Sequence, residues 1–150
     1  MSQSLSRVLV HCIFSTKGHR PWICPEIQSD LHAYLGGIVR KQGCWSIEIG
    51  GVQDHVHILV GLARTISAAG LVSALKAGSS KWMKEKHKGL SDFQWQAGYA
   101  IFSVDPLQLD PLCHYIRNQA EHHRGRDFQD EYREFLKAHG IQFEEKYVWD

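Results

Sequence analysis

The chain lacks any run approaching the ~18 consecutive apolar residues that a membrane span requires, and its opening Met1-Ser2-Gln3-Ser4 has no basic segment leading into an apolar stretch. A membrane partner is therefore not expected, and the expected location is the cytoplasm. The four cysteines, Cys12, Cys24, Cys44 and Cys113, form no CxxC pair, which argues against a zinc knuckle or a disulfide framework and for reduced thiols. No GxxxxGK[ST] loop is present to cradle phosphates, so no nucleotide cofactor is expected. An excess of one charge is missing too: 17 Lys and Arg stand against 16 Asp and Glu, so any nucleic-acid surface must be a local patch. Repeats, linkers and low-complexity stretches are absent. With 150 residues and 43% hydrophobic content, the chain can fill one core and not two, which reads as a single domain over 1–150.

Histidine, in contrast, is abundant. Ten are present, and seven fall in three groups: His55 with His57, His114 with His122 and His123, and the loop positions His19 and His87. Clustered imidazoles point to metal ligation or proton transfer, whereas scattered ones are usually solvated surface.

The pattern of apolar residues gives an order of elements. Ser6 to Ser15 reads as a buried strand closed by the turn-prone Lys17-Gly18-His19-Arg20-Pro21. Ile27, Leu31, Leu35, Ile38 and Val39 recur at helical spacing up to Gln42, with Gly43 as the closing residue. Cys44 to Val52, a turn at Gln53-Asp54, and His55 to Leu62 form a hairpin. Thr65 or Ser67 caps a helix to about Lys86, and a strand follows from Phe93 to Val104. Strand, helix, strand, strand, helix, strand is the split βαβ order, so the expected fold class is α+β, a ferredoxin-like βαββαβ sandwich with an antiparallel sheet. Two further helices are expected at the C-terminal end. One runs to about His123 with Asp110 as cap and Pro111 as first residue; the other runs from Gln129 to His139, capped by Asp127 and closed by Gly140.

Two small constellations stand out. On a strand, His55 and His57 share a face roughly 7 Å apart and can reach one ion, while Val56, Ile58 and Val60 face the crossover helices. Taken alone, an HxH more often just lines a half-exposed sheet face. In the helix that follows Asp110, Tyr115 and Gln119 stack four apart, a pattern that a core aromatic and a solvated amide would also produce. Together, a metal pair and a phenol suit phosphodiester transesterification, in which a cation offsets phosphate charge and a tyrosine oxygen forms a covalent intermediate.

These residues also carry a resemblance. Gln53-Asp54-His55-Val56-His57-Ile58-Leu59-Val60 resembles the histidine-hydrophobe-histidine motif of the HUH endonucleases. Tyr115-Ile116-Arg117-Asn118-Gln119 resembles the tyrosine helix of the single-tyrosine HUH transposases of small bacterial insertion sequences, including their REP-associated relatives. Four further segments are similar to the same family in the same order: Phe14-Ser15-Thr16-Lys17 through Arg20-Pro21, Leu75 through Trp82, Trp95 through Tyr99, and Glu121-His122-His123-Arg124. The likeness spans Val8 to about Trp149. It implies that His55, His57 and Gln119 bind the metal, Mg²⁺ or Mn²⁺, and that Tyr115 attacks single-stranded DNA at hairpin-bearing element ends to leave a 5′-phosphotyrosine. It also implies a homodimer in which the tyrosine of one subunit can serve the histidines of the other, at the nucleoid when bound to DNA.

Candidate DNA contacts are Lys76, Ser80, Lys81 and Lys84 on the second helix, and Lys17 and Arg20 in the first loop, with Trp22 or Trp95 for base stacking. Two other readings are a hairpin-binding protein descended from a transposase and a metal-dependent phosphoesterase that uses water in place of the tyrosine.

Overall fold

A computed structural model describes residues 2–122 and 126–150. His123 and Arg124 lie outside the described residues, as does the His122 side chain.

Four strands form one antiparallel sheet in the order β2-β3-β1-β4: β1 (Val8–Ser15), β2 (Trp45–Gly51), β3 (His55–Leu62) and β4 (Ala100–Ser103). The crossover helices are α1 (Pro25–Lys41) and α2 (Ala68–Lys86), which gives the expected ferredoxin-like α+β arrangement. α3 (Leu109–Arg117), α4 (Gln119–His122) and α5 (Phe128–Ala138) follow. Among the described residues no helix is long and apolar enough to cross a membrane.

The alternation of the strands divides the apolar interior into two clusters, one on each face of the single sheet. Val10, Cys12 and Phe14 of β1 and Val56, Ile58 and Val60 of β3 face one way, into a cluster shared with Leu31 and Leu35 of α1 and Leu71 and Leu75 of α2. The opposite face carries Ile13, Ala100 and Phe102, covered by Phe128, Tyr132 and Leu136 of α5. Register puts His55 opposite Ser15 and His57 opposite Ile13, on that second face. The histidine face, which an isolated HxH would more often leave half-exposed, is here buried, because α5 closes over it.

Element boundaries differ from expectation where side chains intervene. Ser67, not Thr65, caps α2, accepting a hydrogen bond from Gly70 N at 3.0 Å. The strand expected from Phe93 shrinks to four residues and a single bridge between Thr16 and Trp95. The reason is Lys76: its Nζ donates to the carbonyls of Gln96 (2.7 Å), Ala97 (3.1 Å) and Gly98 (2.5 Å), so these groups are taken by an ammonium and not by a ladder. Asp110 is not a cap. A 3-10 turn at Pro106–Gln108, capped by Asp105 Oδ1 accepting from Leu107 N at 2.8 Å, leads directly into α3. The helix expected to continue to His123 breaks at Asn118 (φ −104, ψ 33), whose Nδ2 donates to His114 O at 2.9 Å.

Candidate functional site

β3 presents two histidines whose ring nitrogens are sorted by their neighbours. His55 and His57 are both fully buried. His55 Nδ1 lies 2.7 Å from Asp54 Oδ1, and His57 Nδ1 lies 2.8 Å from His11 Nε2 on β1. Both Nδ1 atoms are thus occupied, one by Asp54 in the β2–β3 turn and the other by His11 on β1, and both Nε2 atoms point at the same place. There His57 Nε2 is 2.7 Å and His55 Nε2 3.5 Å from Glu131 Oε1, and His55 Nε2 is 3.0 Å from Gln119 Oε1. An orienting partner on the far nitrogen is the usual support of a metal-ligating imidazole. His55, His57 and Glu131 offer ligand atoms all within 4.8 Å of one another, and this buried group could hold a metal ion. Two imidazole nitrogens with a carboxylate and an amide oxygen fit a divalent cation.

The phenol reaches the same carboxylate from α3. Tyr115 OH donates to Glu131 Oε2, Gln119 Nε2 donates to that oxygen at 3.4 Å, and Arg126 Nη2 donates to Tyr115 OH at 3.0 Å. What lets α3 approach is Gly50 on β2, where a Cβ would run into the carbonyl oxygen of Ile116. Tyr115 thereby meets the histidine pair of its own chain. Within the single chain, α3 is packed on β2 and α4 turns Gln119 back towards His55 of β3, which brings Tyr115 beside the chain's own histidine pair.

Glu131 is absent from the residues singled out in the sequence, although it leaves a trace there. Phe128, Glu131, Tyr132, Phe135 and Leu136 follow the spacing of one helix face, so Glu131 sits in an apolar stripe, where a fully buried carboxylate needs partners. His11 leaves the same trace, standing between Leu9 and Ile13 on the inward face of β1.

Electrostatics follow from this burial. For His55, burial favours the neutral ring, but hydrogen bonds to Asp54 and Glu131 and their charges prevail and raise it to about 9. Burial and the adjacent His57 hold His11 well below its ordinary value. Burial, then the hydrogen bond to Glu131 and its charge, push the Tyr115 phenol upward, so it rests protonated. A group raised from 6.5 to about 9 stabilises the fold fully below 6.5 and ceases to as pH rises through 9, a span worth on the order of 3 kcal/mol. In chelator, the melting temperature is expected to fall between these limits. Asp54→Asn should flatten that dependence, and a flat wild-type profile would contradict the His55 ion pairs.

The candidate DNA contacts do not all share one surface role. Lys17, Arg20, Lys81 and Lys84 are exposed and Ser80 is half-buried. Lys76 is committed to the three carbonyls described above, and burial lowers it to about 8. Trp95 is buried with Nε1 donating to Ser79 Oγ at 2.9 Å, which removes it from base stacking, while half-buried Trp22 lies under Arg20 at 4.7 Å. The cysteines are free thiols.

The chain is similar to solved structures over most of its length. One is a transposase candidate from Deinococcus radiodurans R1, at 23% identity and TM-score 0.62, covering 79% of this chain and 98% of that one. Another is a REP-associated tyrosine transposase solved with a REP hairpin, at 12% identity and TM-score 0.59, covering 93% and 88% respectively. At these identities the likeness is one of fold. No curated protein matches. The model of the IS200-like transposases matches residues 4–119, which include both histidines, Tyr115 and Gln119. The chain belongs to the IS200-like transposase family.

Proposed function

We propose that this single domain, 1–150, cleaves and rejoins single-stranded DNA at hairpin-bearing element ends through a 5′-phosphotyrosine on Tyr115. The observation that best supports this is the meeting of the Tyr115 hydroxyl and both histidine Nε2 atoms at the two oxygens of one buried carboxylate. His55, His57 and Gln119 would hold Mg²⁺ or Mn²⁺, which offsets charge on the scissile phosphate and the leaving oxygen. Tyr115 Oη attacks phosphorus while its proton passes to Glu131 Oε2, to which it already donates, and Arg126 Nη2 steadies the oxygen as it loses that proton. The P–O3′ bond breaks, its electron pair stays on O3′, and that oxygen takes up a proton from water to become the 3′-hydroxyl; the reverse attack of such a hydroxyl rejoins a strand. Hairpin recognition also draws on the REP-associated relative, which was solved with a REP hairpin. Action in the cytoplasm, at the nucleoid, belongs to the same reading.

A labelled hairpin oligonucleotide incubated with the protein and Mg²⁺ or Mn²⁺ separates this from its competitors. A denaturation-resistant adduct is expected. Cleavage without an adduct would make the protein a phosphoesterase, and binding without cleavage would make it a hairpin-binding protein.

For the basic residues, Lys84→Ala is expected to weaken hairpin binding and lower the slope of log affinity against log salt by about 0.7 to 0.9 for each phosphate that is no longer neutralised. An unchanged slope would return that face of α2 to simple solvation. Lys76→Ala should instead lower the melting temperature, since it frees three carbonyls.

Homodimerisation remains part of the reading, with each tyrosine serving its own chain. A purified heterodimer of a Tyr115→Phe chain and a His55→Ala, His57→Ala chain then has one lesion in every site and should not cleave. Recovered cleavage would establish the trans arrangement.

A further inference from the structure

A cavity of about 590 Å³ opens beside Tyr115, between the end of β4, the start of α3 and α5. Its volume falls within the range of small-ligand pockets. Phe102 and His139 lie parallel in its lining, with ring centroids 4.4 Å apart and 16° between planes, and Phe135 stacks on Phe102 at 5.8 Å and 21°. Leu112 adds an aliphatic surface. Phe102 is itself covered by this stack, so the flat and aliphatic surfaces left to a planar ligand are those of exposed His139 and of half-buried Phe135, Tyr115 and Leu112.

Charge decides which part of a nucleotide could enter. Among the described residues no Lys or Arg lines the cavity, and its charged residue is Asp105, with Gln108 beside it at the exposed rim. A phosphate would be repelled; an uncharged base would not. Asp105 Oδ1 accepts from Leu107 N, and the carboxylate still offers acceptor capacity to the cavity. The amino groups of cytosine, adenine and guanine can donate to it, whereas thymine flanks its one N–H with two carbonyl oxygens that a carboxylate repels. Tyr115 belongs to both places: its ring lines the cavity while its hydroxyl meets Glu131. Of the lining residues, Phe135 and His139 lie beyond the segment matched by the family, so α5 and its end complete a cavity whose other walls lie within that segment.

We infer that this cavity receives one nucleobase of the DNA strand, the base adjoining the phosphate that Tyr115 attacks, and selects amino-bearing bases over thymine. This rests on the reading of Tyr115 as the nucleophile, so the test uses a readout other than cleavage. Deoxycytidine, deoxyadenosine, thymidine and inorganic phosphate are titrated separately into the intact protein while the Leu112 methyl and His139 ring resonances are followed by NMR. The first two should shift both resonances. Thymidine should bind about tenfold more weakly, the order supplied by one hydrogen bond to a charged group, and phosphate should move neither resonance. Asp105→Asn should narrow the gap between thymidine and the others. Leu112→Trp should abolish the shifts at His139, and Gln108→Trp at the exposed rim does the same should the first variant not fold. Nucleosides that leave both resonances unmoved, phosphate that competes with them, or shifts that survive both tryptophans in folded protein would overturn the pocket. If nucleosides bind as described and no DNA adduct forms, the pocket stands and the nucleophile assignment falls.

Discussion

Tyr115→Phe is expected to leave no denaturation-resistant adduct with hairpin DNA, a fall in strand cleavage of at least about 10⁴-fold, the order seen when a covalent nucleophile is removed. The substitution deletes one oxygen and keeps the ring, so the packing of residue 115 against Phe135, centroids 5.9 Å apart, is retained. Glu131 loses one hydrogen bond but keeps His57 at 2.7 Å and Gln119 at 3.4 Å, so stability should change by no more than about 1–2 kcal/mol. Hairpin affinity and melting temperature measured on the same sample separate chemistry from folding. Adduct persisting in this variant would assign the nucleophile to another residue.

Replacing the histidines should have the second largest effect. His55→Ala and His57→Ala are each expected to remove cleavage while hairpin binding survives, because binding would rest on exposed cations such as Lys81 and Lys84, far in role from the buried pair. Both rings are fully buried and both face Glu131, so truncation also opens a cavity and strips a buried carboxylate of a partner. A loss on the order of 2–4 kcal/mol follows, contrary to what a half-exposed sheet face would lead one to expect. Binding must therefore be measured below the melting point of each variant. Hairpin affinity that disappears in parallel with cleavage, in folded protein, would make the histidines DNA contacts.

Much of this is legible in the residues. Period-two alternation marks β3 to the residue, and the split βαβ order places His55 and His57 opposite Val56, Ile58 and Val60. The histidine pair, Tyr115 and Gln119 come from short motifs supported by resemblance. Glu131 and Arg126 escape such a reading because their role depends on α5 folding back across the sheet, which joins His57 and Glu131 across 74 positions of sequence. Periodicity describes a helix face, not what that face meets. Lys76 misleads for a related reason: on a helical wheel it belongs to the polar ridge, but its ammonium reaches the carbonyls of residues 96 to 98. The break at Asn118 is also out of reach, since nothing in Tyr115 to His122 forbids a continuous helix, and the bond of the Asn118 side chain to His114 O forms where the helix ends.

In the proposed reaction Tyr115 itself becomes joined to the 5′ end of the cleaved strand. The most direct test is to digest the denatured covalent complex with a protease and a nuclease and identify the modified peptide by mass spectrometry. A residual nucleotide on Tyr115 through a phosphate is expected, in the peptide that also contains His114 and Ile116. A nucleotide on Tyr132, Tyr99 or any other residue, or cleaved DNA with an unmodified Tyr115 peptide, would contradict it.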